Sequence, residues 1–80
     1  MKNTILNLNK VKINKKCIVC SLIAQGNERR RLLDLGIVQG TKIEILGKSL
    51  SGDPMSYLIR GIVIALRSEC AKKIIVKSLD

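Results

Sequence analysis

Residues 29–46 read RRRLLDLGIVQGTKIEIL, and within this stretch the spacing of the apolar residues changes from that of a helix to that of a strand. In the first part, Leu32 and Leu35 fall on one helical face, which predicts a short helix over about 28–35 that packs on a core. Asn27 immediately precedes this segment and is of a residue type that commonly caps a helix. The stretch therefore begins with one amphipathic helix.

The second part of the same stretch alternates between apolar and charged residues. Ile43 and Ile45 are separated by a charged residue, which predicts a half-buried strand over 41–46. Gly36 and Gly40 lie in the connection between the helix and this strand. Glycine adopts the positive φ angles that end helices and make tight turns, so we interpret both as determinants of the connection.

Outward from this stretch, further short runs rich in β-branched and aliphatic residues are typical of strands. They cover residues 17–24, 57–60, 62–67 and 73–77. Gly61 separates two of these runs and predicts a sharp bend, and a single helical turn is predicted over 68–72. The triplet Gly52, Asp53 and Pro54 predicts a turn. The segment up to residue 16 is interpreted as a turn or a short helix.

This succession gives about five short strands, with one short α-helix inserted after the first strand and a helical turn before the last. The 80 residues suit one domain, 1–80. A closed or nearly closed barrel would leave no exposed strand edges in so small a sheet. We therefore predict a mostly β, SH3-like barrel, with an OB-like barrel or an α+β roll as alternatives.

The charge of the chain is strongly positive and unevenly distributed. The net charge is +9, and residues 1–31 hold eight of the 15 basic residues but one of the six acidic ones. Such a surface attracts polyanions or an anionic membrane surface, or is simply solvated. No apolar segment resembles a signal peptide or a membrane helix, so a cytoplasmic location is expected.

The three cysteines do not form a recognisable metal site. Cys17 and Cys20 have the C-x-x-C spacing of many zinc ligands, but they lie in a predicted strand, where residues three apart point to opposite faces. Cys70 is isolated, and the chain has no histidine. We interpret the cysteines as small apolar residues of the core and predict no metal ligand and no resident cofactor.

Catalysis and nucleic-acid binding are both disfavoured by what the sequence lacks. There is no histidine, no serine-centred elbow motif and no glycine-rich phosphate loop, so no catalytic residue and no enzymatic activity are predicted. The charge would suit nucleic acid, but Tyr57 is the only aromatic residue and cannot build a stacking platform. The aromatic-lined groove that binds proline-rich peptides is missing for the same reason.

Taken in order, the motifs resemble those of the FeoA family. The resemblance covers about residues 8–76 and rests on RRRLLDLGI (29–37), QGTKIEIL (39–46), GDP (52–54) and RGIVIALR (60–67). The sequence departs from the family pattern at Asn14, where glycine is usual, at Leu50, where proline is frequent, and at Cys70, where an acidic residue is common. The residues with a structural role in this pattern are Gly36, Gly40, Gly52, Asp53, Pro54 and Gly61.

This resemblance implies a function in ferrous iron uptake, with a membrane transporter that carries a GTPase domain as the partner. It also implies an SH3-like barrel in the cytosol. Our hypothesis is a non-enzymatic accessory protein that docks on and modulates that transporter, with Arg29, Arg30 and Tyr57 as partner-binding residues. The alternatives are a basic barrel that binds nucleic acid and a small regulatory module that binds a transition metal.

Overall fold

A computed structural model of the chain describes residues 4–79, which form one antiparallel sheet with short helical segments between its strands. The strands are β1 (Ile5–Asn7), β2 (Lys16–Leu22), β3 (Lys42–Lys48), β4 (Met55–Ile59), β5 (Ile62–Leu66) and β6 (Ile74–Ser78). The helices are α1 (Gly26–Asp34) and α2 (Ser68–Ala71), and a 3-10 turn covers Leu8–Lys10. The strand order in the sheet is β1-β6-β2-β3-β4-β5.

Alternation along the strands separates a core face from a solvent face. Ile43 and Ile45 of β3 and Tyr57 and Ile59 of β4 are all fully buried, whereas the residues between them are at least partly exposed. Burying an isoleucine or leucine side chain stabilises a fold by about 1.5–3 kcal/mol. The rest of this core is mainly aliphatic and includes Leu8, Val19, Leu32, Ile37, Ile74 and Val76.

The mostly β prediction is confirmed, but the sheet is not closed and it has six strands instead of about five. β1 and β5 are its two edges. The additional strand is β1, in the segment interpreted above as a turn or a short helix. Its three residues pair with β6, with Leu6 opposite Val76. As a consequence, α1 follows the second strand and not the first.

Neither end of α1 is capped by a side chain. The helix begins at Gly26 after Gln25, and no side chain caps it, so the prediction of Asn27 as the N-cap is wrong. At its other end, the N–H of Gly36 donates to the Leu33 carbonyl at 2.9 Å, and Gly36 has a φ of +88°. Together with the bond from the Ile37 N–H to the Leu32 carbonyl, this pattern is a Schellman motif.

Two turns connect the strands of the second half of the sheet. Arg60 and Gly61 join β4 to β5 as a two-residue hairpin, both with positive φ, which identifies a type I′ turn. In the loop between β3 and β4, the Asp53–Pro54 peptide bond is cis. A carboxylate oxygen of Asp53 accepts a hydrogen bond from the Ser68 N–H at 2.8 Å, which ties this loop to the start of α2.

Candidate docking surface

The three consecutive arginines of α1 are all exposed, but they point in different directions. Successive helical residues are rotated by about 100°, so Arg29 and Arg31 lie on different faces of the helix, with Arg30 between them. Among residues 4–79 the guanidinium of Arg30 has no hydrogen-bond or ion-pair partner. Arg30 is therefore available to an external carboxylate.

Arg29 is held against the neighbouring strand. Its Nη1 donates a hydrogen bond to the Leu22 carbonyl at the end of β2, at 3.2 Å. A groove of about 200 Å³ lies beside it, lined by Cys20, Leu22, Arg29, Leu33 and Val38 together with Ser21 and Gln39. We call this surface, with the adjacent Arg30, the α1 groove.

The α1 groove contains two apolar side chains that were not predicted from the sequence. Leu33 and Val38 are 39% and 38% exposed, although both are large and hydrophobic. Leu33 follows Arg29 by four positions, which places both on one helical face. That spacing is the signal that could have found Leu33, whereas Val38 reaches the groove only through the turn at Gly36.

The opposite side of α1 is fixed by a polar cluster. Lys73 Nζ donates to Glu28 Oε1 at 2.7 Å, and the Cys70 thiol donates to Glu28 Oε2 at 3.4 Å. The hydrogen bond from Lys73, followed by that from Cys70, lowers the pKa of Glu28, and the same ion pair raises the pKa of Lys73. The cluster joins α1 to α2 and the start of β6, which sets the orientation of the helix.

Tyr57 does not lie on this surface. Its side chain is fully buried in β4, and burial, followed by the nearby Cys17, raises its pKa to about 12. The hydroxyl has no hydrogen-bond partner among the described residues. Tyr57 is thus a core residue, and its assignment to the partner-binding surface is corrected.

The cysteines occupy three different environments. Cys17 is fully buried with its Sγ 3.7 Å from the Ile43 carbonyl, and burial raises its pKa to about 12. Cys20 is not a core residue, because it lines the α1 groove, and Cys70 contacts Glu28.

Within residues 4–79, no three His, Cys, Asp or Glu side chains are grouped so that they could hold a metal ion.

Comparison with known proteins identifies the family. The FeoA domain profile matches residues 6–78. This chain belongs to the FeoA family. No curated protein sequence matches it significantly. The family links the chain to ferrous iron transport. None of the helices in the described part of this FeoA-family chain has the length and apolar character needed to cross a membrane.

Solved structures of similar proteins agree with this assignment. A FeoA-like protein from Clostridium acetobutylicum is 39% identical with a TM-score of 0.88, covering 100% of this chain and 92% of that one. The zinc-complexed FeoA of Stenotrophomonas maltophilia is 27% identical with a TM-score of 0.80, covering 89% and 88%. That protein is described as an SH3 domain protein and proposed as a ferrous iron transport activating factor. The SH3-like fold predicted from the sequence is therefore confirmed.

The same fold occurs in a different class of protein. A manganese-dependent transcriptional repressor is 21% identical with a TM-score of 0.85, and the match covers 94% of this chain but 41% of the repressor. At this identity the likeness shows the fold alone. It carries no information about what the present chain binds.

Proposed function

We propose that this FeoA-family protein is a non-enzymatic, cytosolic accessory protein of ferrous iron uptake that docks on a membrane iron transporter with a GTPase domain and modulates it. The observation that carries the proposal is the α1 groove, where the Arg29 side chain lies beside half-exposed Leu33 and Val38. Arginine is enriched at protein interfaces, and the centre of an interface is apolar. No resident cofactor takes part in this function.

The groove suits a protein partner better than a small substrate. Arg30 has no partner among the described residues and can form a two-point contact with a carboxylate. Leu33 and Val38 offer apolar area in the groove beside Arg29, and the Glu28–Lys73 ion pair holds the helix that carries both arginines and Leu33. We therefore expect an acidic residue of the transporter near Arg30 and an apolar side chain in the groove.

A titration of the labelled protein with the GTPase domain of the transporter from the same organism tests this proposal. We expect amide shifts in a two-dimensional NMR spectrum to be confined to α1, the end of β2 and Val38. The double substitution Arg29→Glu and Arg30→Glu should weaken binding at least about tenfold, since it replaces attraction by like-charge repulsion.

The matched control is Lys12→Glu, which reverses an exposed charge outside the groove and should leave affinity within about twofold. Shifts on another surface, or unchanged affinity of the double variant, would contradict the assignment of the groove. A shift pattern produced by RNA and not by the GTPase domain would favour the nucleic-acid alternative instead.

A further inference from the structure

A second cleft lies on the solvent face of the sheet and shares no residue with the α1 groove. It has a volume of about 410 Å³ and contains three basic side chains and one acidic side chain. Its lining residues are Lys16, Lys42, Glu44 and Arg60, with Gly40, Thr41, Leu58 and Gly61 between them. We call it the Arg60 cleft.

Arg60 occupies a backbone position that does not suit arginine. It is the first residue of the type I′ turn and has a φ of +53°. Side chains with a Cβ disfavour this region, and the residue usually found at this position of such turns is asparagine or glycine. Residues held in disfavoured conformations often serve a function through their side chains. If only the turn mattered, asparagine would suit this backbone conformation better than arginine.

The side chain of Arg60 is held in place by a contact that only glycine permits. A Cβ atom on Gly36 would lie 2.6 Å from Cδ and 3.3 Å from Nε of Arg60, so the arginine passes directly over Gly36. The connection beneath it is fixed by Thr41, whose buried hydroxyl donates to the Gly36 carbonyl at 2.9 Å and accepts from the Val38 N–H at 3.1 Å. Arg60 is therefore positioned by both its turn and its neighbour.

The charges of the cleft select an anion. Lys16, Lys42 and Arg60 outnumber Glu44, and all three are exposed. Among residues 4–79 the Arg60 guanidinium has no hydrogen-bond or ion-pair partner, so its donors are available. The only aromatic residue, Tyr57, is buried, which removes the stacking contacts on which binding of single-stranded nucleic acid depends.

From this arrangement we infer that the Arg60 cleft binds an acidic segment of a partner protein. Arg60 is the anchor and pairs with a carboxylate of the segment through two parallel N–H donors. Lys16 and Lys42 attract further acidic residues at the rim, and Leu58 contacts an apolar side chain between them. This inference goes beyond the proposed function, because it requires neither the transporter nor the α1 groove.

The experiment uses a capped peptide of alternating Glu and Val residues, a matched peptide with Gln in place of Glu, and a single-stranded RNA oligonucleotide. We expect the acidic peptide to shift the amides of Gly40, Lys42 and Gly61, and the Gln peptide to bind at least about tenfold more weakly. Absence of shifts with millimolar acidic peptide, shifts confined to the α1 groove, or tighter binding of RNA in the cleft would each overturn the inference.

Variants of the full chain separate binding from folding. Arg60→Asn creates the turn sequence that type I′ hairpins favour, so its melting temperature should equal or exceed that of the unmodified protein, while peptide affinity falls at least about tenfold. Glu44→Gln should tighten binding about two- to threefold by removing the opposing charge. The control Arg67→Gln removes an exposed arginine outside the cleft and should change affinity less than about twofold.

Equal affinity of the Arg60→Asn variant and the unmodified protein would overturn the assignment of the anchor. The outcome is distinguishable from failure of the proposed function. If the transporter domain does not bind but the peptide does, the docking proposal fails and the Arg60 cleft stands. If the transporter domain binds but the peptide does not, the inference about the Arg60 cleft fails and the assignment of the α1 groove stands.

Discussion

The α1 groove and the Arg60 cleft are both basic surfaces of one small sheet, but they use arginine in different ways. In the groove, Arg29 is tied to the Leu22 carbonyl and stands beside apolar side chains. In the cleft, Arg60 sits in a strained turn, passes over Gly36 and is accompanied by two lysines. The groove therefore combines one anchored arginine with half-exposed Leu33 and Val38. The cleft gathers three basic side chains around one acidic side chain, so binding there should be more sensitive to salt.

The largest expected effect comes from a substitution in the hydrophobic core, which supports both surfaces. Ile45 is fully buried in β3, and Ile45→Ala should lower the free energy of unfolding by about 2–5 kcal/mol. Urea denaturation followed by far-UV circular dichroism measures this change. Binding at the groove and at the cleft should fail together as the variant unfolds.

The control for this variant is Ile62→Ala in the edge strand β5. Ile62 is 62% exposed, so truncation should cost no more than about 0.5 kcal/mol. A folded Ile45→Ala protein that loses only one of the two binding activities would show that the surfaces do not depend on a common core.

A smaller change should separate the two surfaces. Gly36→Ala places a Cβ in a backbone conformation with φ of +88° and against the Arg60 side chain. The backbone strain should cost about 1–2 kcal/mol of unfolding free energy, and displacement of Arg60 should weaken binding of the acidic peptide. Urea denaturation and the peptide titration measure the two effects.

The matched control is Gly47→Ala. No heavy atom lies within 4 Å of an added Cβ there, so neither stability nor peptide affinity should fall. The contrary outcome is that Gly36→Ala weakens transporter binding at the groove and leaves peptide binding unchanged. That result would show that Gly36 supports the groove and not the Arg60 cleft.

The Glu28 cluster, which sets the orientation of α1, predicts a pH dependence of stability. Because the pKa of Glu28 is lowered below its ordinary value of 4.5 in the folded protein, its contribution to stability is present above 4.5 and is lost as the pH falls through the lowered value. Glu28→Gln removes that titration. The difference in melting temperature between the unmodified protein and this variant should therefore shrink as the pH is lowered from neutrality through this window.

A control for this titration is Glu69→Gln, which removes an exposed acid of α2 that makes no ion pair within residues 4–79. Its melting temperature at neutral pH should stay close to that of the unmodified protein. A Glu28→Gln difference that stays constant with pH would show that the carboxylate contributes no linked stability.

The parts of the fold that were predicted correctly depend on local periodicity. The change of period within residues 29–46 predicted α1 and β3, because alternation and helical spacing are properties of neighbouring residues. β1 was missed because a three-residue strand shows no clear alternation. It becomes a strand only through pairing with β6, which is distant in sequence.

The candidate site could be predicted only in part for the same reason. Arg29 and Arg30 were identified from the run of three arginines that begins the predicted helix, but Val38 and the contact between Arg60 and Gly36 depend on how distant segments meet. The error at Tyr57 was avoidable. Tyr57 and Ile59 are two residues apart in one strand, so alternation places them on the same face, and an aliphatic neighbour on that face indicates the core.

The smallest expected effect concerns that residue and tests its removal from the docking surface. The Tyr57 hydroxyl is buried without a partner among the described residues, so Tyr57→Phe deletes a polar group whose burial is unfavourable and leaves the packing of the ring. The free energy of unfolding should stay the same or rise by about 1 kcal/mol, and affinity at both surfaces should not change. Tyr57→Ala is the contrasting variant, because it removes the buried ring and should destabilise the protein where Tyr57→Phe does not. A folded Tyr57→Phe protein that binds the transporter domain more weakly would contradict this assignment. The Tyr57 hydroxyl would then have to contact the partner, and Tyr57 would belong to the docking surface and not only to the buried face of the sheet.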